Sequence, residues 1–130
     1  MPAVAGKTVV FAYAGDLWVG NLGGGTARRL TTAPGNEIRP KISPDGKTVA
    51  FTANYDGGPN VYVVPIEGGE PKRLTYNAEP DNVVGWTPDG KIAFASSAGN
   101  PYLGRQQRLW LVSPNGGRPE KTVLEEFTEG

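Results

Sequence analysis

The chain has 130 residues, with thirteen Lys and Arg balanced by thirteen Asp and Glu, and it contains neither histidine nor cysteine. Balanced charge supplies no long-range field toward nucleic acid or an anionic membrane. The missing cysteines exclude disulfides and thiolate chemistry, and the missing histidines remove the commonest general base and metal ligand.

Nineteen glycines and twelve prolines argue against long helices, because inside a helix they cost about 1 and about 3 kcal/mol relative to alanine. The short apolar runs are rich in Val, Ile, Phe, Tyr and Trp and are fenced by Gly, Pro, Asn and Asp, the composition of strands and turns. Met1 to Val10 lacks a basic stretch followed by a long apolar run, and no segment approaches the roughly 20 apolar residues of a membrane helix. A soluble, cytoplasmic protein is expected.

Taken in chain order, the first unit holds Lys7-Thr-Val-Val-Phe11, then Asp16-Leu-Trp-Val19, the turn Gly23-Gly-Gly25 and the basic stretch Ala27-Arg-Arg-Leu-Thr31. The second opens with Ile42-Ser-Pro-Asp-Gly46 and repeats the series as Lys47-Thr-Val-Ala-Phe51, Asn60-Val-Tyr-Val63, Glu67-Gly-Gly69 and Lys72-Arg-Leu-Thr75. The third follows with Trp86-Thr-Pro-Asp-Gly90, Lys91-Ile-Ala-Phe94, Arg108-Leu-Trp-Leu111, Asn115-Gly-Gly117 and Pro119-Glu-Lys-Thr-Val123. The two Pro-Asp-Gly turns lie 44 residues apart, a period typical of four-stranded propeller blades. Proline presets φ in such a turn, aspartate caps it, and glycine takes the positive-φ position.

The expected fold is therefore all-β: three four-stranded antiparallel β-propeller blades, half of a six-bladed propeller. Blade 1 spans about 1–38, blade 2 about 39–81 and blade 3 about 82–124, with an acidic tail at 125–130. Strands two and three are apolar on both faces, so each blade needs a neighbour on either side. Trp18, Tyr62 and Trp110 share one repeat position, which assigns them to blade interfaces rather than to a ligand platform. Only the loop between strands two and three grows, from Phe11–Asp16 through Phe51–Asn60 to Phe94–Arg108. That loop and the inter-blade connections share a rim, which marks this rim as the binding face.

Ser43-Pro-Asp-Gly-Lys-Thr-Val-Ala-Phe51, Asn60-Val-Tyr-Val-Val64 and Lys72-Arg-Leu-Thr75 resemble the WD40-like repeat of the TolB and tricorn protease type. Gly15-Asp-Leu-Trp18, Val84-Gly-Trp-Thr-Pro-Asp-Gly90 and Arg108-Leu-Trp110 are similar to the start of a tricorn protease homologue. The resemblance implies the first three blades of a six-bladed N-terminal propeller that acts as a passage or docking surface for peptides. Proteins of that type carry a second propeller and a serine protease domain, neither of which has a counterpart here, and no position can receive a catalytic histidine.

Three blades do not close a ring, since single-chain propellers have about four to eight, and an open arc exposes an apolar flank at each end. Two copies related by a two-fold axis would cover both flanks and make six blades, so a homodimer is expected. The other outcome is a monomeric arc or a piece of a longer chain.

Other motifs resolve into turns. Gly85 to Ile92 has the glycines and lysine of a P-loop but isoleucine at the Mg²⁺-binding position, and it lies between strands. The Gly23–Gly25 run recurs in every unit as a hairpin, and Asn54 to Asn60 lacks the spacing and final glutamate of a calcium loop. Ser96 and Ser97 have no histidine partner. No catalytic residue, cofactor or metal is expected. The candidate binding residues are Tyr55, Asp56, Asn100, Tyr102, Arg105, Gln106 and Gln107 in the enlarged loops, for a peptide or protein ligand. Two functions remain open: a non-catalytic, self-associating scaffold, or the substrate-gating N-terminal part of a tricorn-like serine peptidase whose chemistry lies elsewhere.

Overall fold

The structure, a computed structural model, describes residues 2–31, 37–55, 59–76, 80–96 and 108–121. Among these residues there are twelve strands and no helix, arranged as three antiparallel four-stranded sheets. The first sheet runs β1 (Ala3–Ala5), β2 (Thr8–Tyr13), β3 (Asp16–Asn21) and β4 (Arg28–Arg29) in spatial order. The second runs β5 (Glu37–Ile42), β6 (Thr48–Ala53), β7 (Asn60–Pro65) and β8 (Lys72–Arg73); the third runs β9 (Asp81–Trp86), β10 (Ile92–Ser96), β11 (Arg108–Val112) and β12 (Glu120–Lys121). First strands of neighbouring sheets pack together, β1 with β5 and β5 with β9, so the blades converge along their inner edges.

Glu37 and Ile38 belong to the second sheet and Asp81 to the third. The Glu37 N–H donates to the Gly15 carbonyl at 3.2 Å and the Asp81 N–H to the Pro59 carbonyl at 3.0 Å, which pins each inner strand to the preceding blade from its first residue.

The turns follow their sequence chemistry. Gly46 and Gly90 adopt φ of 76° and 92°, and their N–H groups close onto the Ser43 and Thr87 carbonyls at 2.9 and 3.0 Å. The Ser43 hydroxyl donates to Asp45 Oδ1 at 2.6 Å, the Lys47 N–H donates to the same oxygen at 3.0 Å, and Thr87 donates to Asp89 in the matching turn. The three glycine hairpins are likewise equivalent: the N–H groups of Gly24, Gly68 and Gly116 donate to the carbonyls of Asn21, Pro65 and Ser113.

Strands β4 and β8 stop before the Leu-Thr of the repeat, where one main-chain bond from the leucine is followed by a threonine hydroxyl in place of the ladder. The Leu30 N–H donates to the Leu17 carbonyl at 2.7 Å, and the Thr31 hydroxyl accepts the Leu17 N–H at 3.0 Å. Leu74 and Thr75 grip Val61 in the same way, at 2.8 and 3.0 Å. Both leucines and both threonines are buried.

Two apolar layers hold the blades together. Val10, Leu17, Val19 and Leu30 of the first sheet pack against Val49, Phe51, Tyr62 and Val64 of the second. The reverse side of that sheet, Ala50, Val61, Val63 and Leu74, packs against Val83, Ile92, Phe94 and Val112 of the third. At about 1.5–3 kcal/mol for each fully buried large aliphatic or aromatic side chain, these layers dominate the cohesion of the arc. Polar ties repeat along the outside. Arg28 Nη2 reaches the Ile66 carbonyl of the next blade at 2.9 Å, and Lys72 Nζ the Asn115 carbonyl of the one after at 2.9 Å.

Candidate functional site at the loop-bearing rim

In this meander the ends of β2, β6 and β10 and the starts of β3, β7 and β11 lie on the same rim as the starts of β5 and β9. Each blade junction places a polar cluster there, built from the end of the fourth strand, the start of the third and the start of the next blade's inner strand. At the first junction these are Arg29, Thr31, Asp16 and Glu37; at the second they are Arg73, Thr75, Asn60 and Asp81.

The second cluster alternates donors and acceptors. Arg73 Nη2 donates to Asn60 Oδ1 at 2.7 Å, and Asn60 Nδ2 donates to Asp81 Oδ2 at 3.1 Å. Arg73 also lies over the Tyr76 ring, 4.5 Å from its centroid, a cation–π contact at the rim.

The first cluster is more acidic. Asp16 meets Arg29 at 3.8 Å, and Arg29 sits 5.4 Å from the centroid of Trp18. Glu37 is only 1% exposed, and its Oε2 accepts the Tyr55 hydroxyl at 2.5 Å. Its Oε1 has no hydrogen-bond partner among the described residues. Burial above all pushes the Glu37 carboxyl up to about 7; the Tyr55 hydrogen bond acts against this and the Asp16 charge adds to it. Burial, and then the hydrogen bond to Glu37, raise the Tyr55 phenol above its ordinary value. A buried carboxyl poised near neutrality beside a second carboxylate can hold and release a proton.

Of the residues proposed from sequence, Tyr55 joins this cluster. It is half-buried, its ring meets Tyr62 edge-on at 4.7 Å, and its hydroxyl is committed to Glu37. Asp56, Asn100, Tyr102, Arg105, Gln106 and Gln107 lie outside the described residues, as does Ser97. Ser96 is fully buried at the end of β10, opposite Asp81. Tyr62 stacks on Phe51 and Trp110 on Phe94 at the two blade interfaces, as their shared repeat position implied. Sequence reasoning missed Asp16, Glu37, Asn60 and Asp81. Its available signal was the alternation of Asp16 and Asn60 at one repeat position, each followed by the same Arg-Leu-Thr segment.

A second surface lies on the inner edge, where Ile38, Arg39, Lys41, Val83 and Val84 line a groove between β5 and β9. Arg39 has φ of 59°, a left-handed backbone at a register shift in β5. Among the described residues no group of three or more His, Cys, Asp or Glu is arranged to hold a metal ion, and no helix is long and apolar enough to cross a membrane.

Radially converging four-stranded antiparallel sheets, with apolar layers between them and polar clusters on the loop rim, define a β-propeller segment. Residues 1–130 match the tricorn protease N-terminal β-propeller domain, and the chain belongs to that family. It is 39% identical over 124 residues to tricorn protease homolog 1 of Streptomyces coelicolor, a match covering 94% of this chain and 11% of that protein. It is 31% identical over 125 residues to a putative tricorn-like protease N-terminal subunit of Sulfurisphaera tokodaii, covering 92% of this chain and 63% of that one. Among solved structures, TolB from Acinetobacter baumannii superposes with a TM-score of 0.75 at 22% identity, over 95% of this chain and 32% of that chain. A puromycin hydrolase superposes at 0.70 with 19% identity, over 93% and 22%. These last two likenesses concern the fold alone.

Proposed function

We propose that the chain is a non-catalytic propeller scaffold that pairs with a second copy to complete a six-bladed ring and presents its loop-bearing rim to a peptide or protein. The observation that carries this reading is the outer face of the first blade. Phe11 pairs with Trp18 across β2 and β3 in the register that Phe51 keeps with Tyr62 and Phe94 with Trp110. Phe51 and Phe94 are completely buried by the preceding blade, whereas Phe11 and Trp18 are only half-buried and Val4 is 56% exposed. At the other end Ala93, Leu109 and Leu111 occupy the positions of Ala50, Val61 and Val63 and are likewise half-buried. The two internal interfaces pair a face of the first kind with a face of the second, and a second copy supplies both, twice. The non-catalytic part of the reading is supported by a sequence without histidine or cysteine and by the burial of Ser96.

Light scattering on a dilution series tests the assembly. Two chains per particle are expected, and a single-chain mass at every concentration rules the dimer out.

A second reading is favoured by the 11% of the Streptomyces homologue that this chain covers. Here the segment is the substrate-gating N-terminal portion of a tricorn-like serine peptidase, and further blades of the same polypeptide cover the two flanks. The measurement that favours it is a stable complex formed on adding the remaining blades of the propeller, in preference to self-pairing.

A further inference from the structure

The two blade junctions use the same positions with opposite chemistry. Asn60 at the second junction offers Asp81 an N–H donor at 3.1 Å. At the first, the residue in the place of Asn60 is Asp16, a carboxyl where the second junction has an amide, and the residue in the place of Asp81 is Glu37. Glu37 is sealed from water on all but 1% of its surface and has one carboxylate oxygen without a partner among the described residues. Leaving a buried charged oxygen without a donor is far costlier than burying a neutral carboxylic acid that can donate.

The groups around Glu37 come from every neighbouring element. Asp16 stands at the start of β3; Arg29 on β4 is 3.8 Å from Asp16. The Thr31 hydroxyl accepts the Leu17 N–H and keeps its own proton to offer the Glu37 carboxyl, an interaction that acts against the upward shift, and Tyr55 holds Oε2. Tyr62 on β7 stands behind Tyr55. The one cation among them pairs with Asp16 rather than Glu37.

We propose that the seam between blades 1 and 2 is latched by a proton that Glu37 donates to the Asp16 carboxylate, so that its loss to water loosens this seam and leaves the Asn60–Asp81 seam unchanged. The poise of the Glu37 carboxyl near 7 places the transition close to neutral pH. Because the folded state holds this proton more tightly than the unfolded chain, the contribution is full below the ordinary value of 4.5 and is lost as pH rises to about 7.

Amide hydrogen exchange on the full chain, corrected for intrinsic rates, tests the latch seam by seam. Between about pH 5 and about pH 8, protection at Leu17, Leu30 and the Glu37 amide should fall about tenfold, while Val61, Leu74 and Asp81 keep theirs. Glu37→Gln, which carries permanent donor hydrogens, should keep the low-pH protection throughout, and Asp16→Asn should flatten the profile by restoring the pattern of the second seam. Carbon NMR of the unmodified chain supplies a readout that does not depend on a variant folding. A Glu37 side-chain midpoint near 7 supports the latch, and a midpoint in the usual carboxylate range overturns it, as does equal loss of protection at both seams.

Discussion

Trp86 of the third blade donates its indole N–H to the main-chain carbonyl of Lys41 in the second, 2.9 Å away and 45 residues earlier. Both residues lie at the ends of inner strands, so this bond ties neighbouring blades where they converge. Trp86→Phe retains most of the apolar contact and loses the bond, with an expected cost of about 1 kcal/mol. Trp86→Ala removes the packing as well and should cost about 3–5 kcal/mol. Urea denaturation of both variants measures the difference.

The Leu-Thr clamp makes a sharper prediction about the buried backbone. Thr31→Val keeps the shape but removes the acceptor for the Leu17 N–H, and Thr75→Val does the same for Val61. Each should destabilise the chain by about 1–3 kcal/mol, the cost of an orphaned buried donor. Thr→Ser at the same positions keeps the acceptor and should cost less, as chemical denaturation would show.

Equivalent phenylalanines should respond differently according to what covers them. Phe51→Ala opens a cavity between blades and should cost about 3–5 kcal/mol of fold stability. Phe11→Glu should leave the fold nearly unchanged and places a charge on the outer face of blade 1; if two copies pair there as proposed, it should weaken that pairing by about 2 kcal/mol or more, about thirtyfold in Kd. Sedimentation equilibrium together with thermal denaturation separates these two effects.

The stability profile should decline on both sides of mildly acidic pH. Hydrogen bonds from Ser43 and Thr87 hold the Asp45 and Asp89 carboxyls below their ordinary value of 3.8. Their contribution is present above that value and lost as pH falls through the depressed one; Glu37 acts in the opposite direction, losing its contribution between 4.5 and about 7. Asp45→Asn combined with Asp89→Asn should flatten the acid limb, and Glu37→Gln the neutral limb, in denaturation midpoints measured across pH.

What could be read from the residues was whatever local chemistry repeats. Pro-Asp-Gly closes the same turn twice because proline, aspartate and glycine carry their conformational preferences with them. The aromatic at Trp18, Tyr62 and Trp110 marks the interface because strand alternation puts it on one face of every sheet. The shortening of β4 and β8 was not legible, since Thr31 and Thr75 look like strand residues until their hydroxyls are seen on a neighbouring backbone. The register shift at Arg39 and Pro40 was equally hidden, because nothing in the residue types there marks the irregular pairing of β5 with β6.

By itself, then, the order of residues determined the number of blades, the strands within each, their turns and which faces are apolar, all properties written at short range and repeated from unit to unit. Only the tertiary structure decided which side chains meet at the blade junctions. It set Glu37 beside Asp16 and Tyr55, 21 and 18 residues away, and closed the Glu37 side chain off from water. The physical reason is that desolvation and carboxyl pairing depend on distance in space, and neighbouring blades bring together positions that spacing along the chain does not connect.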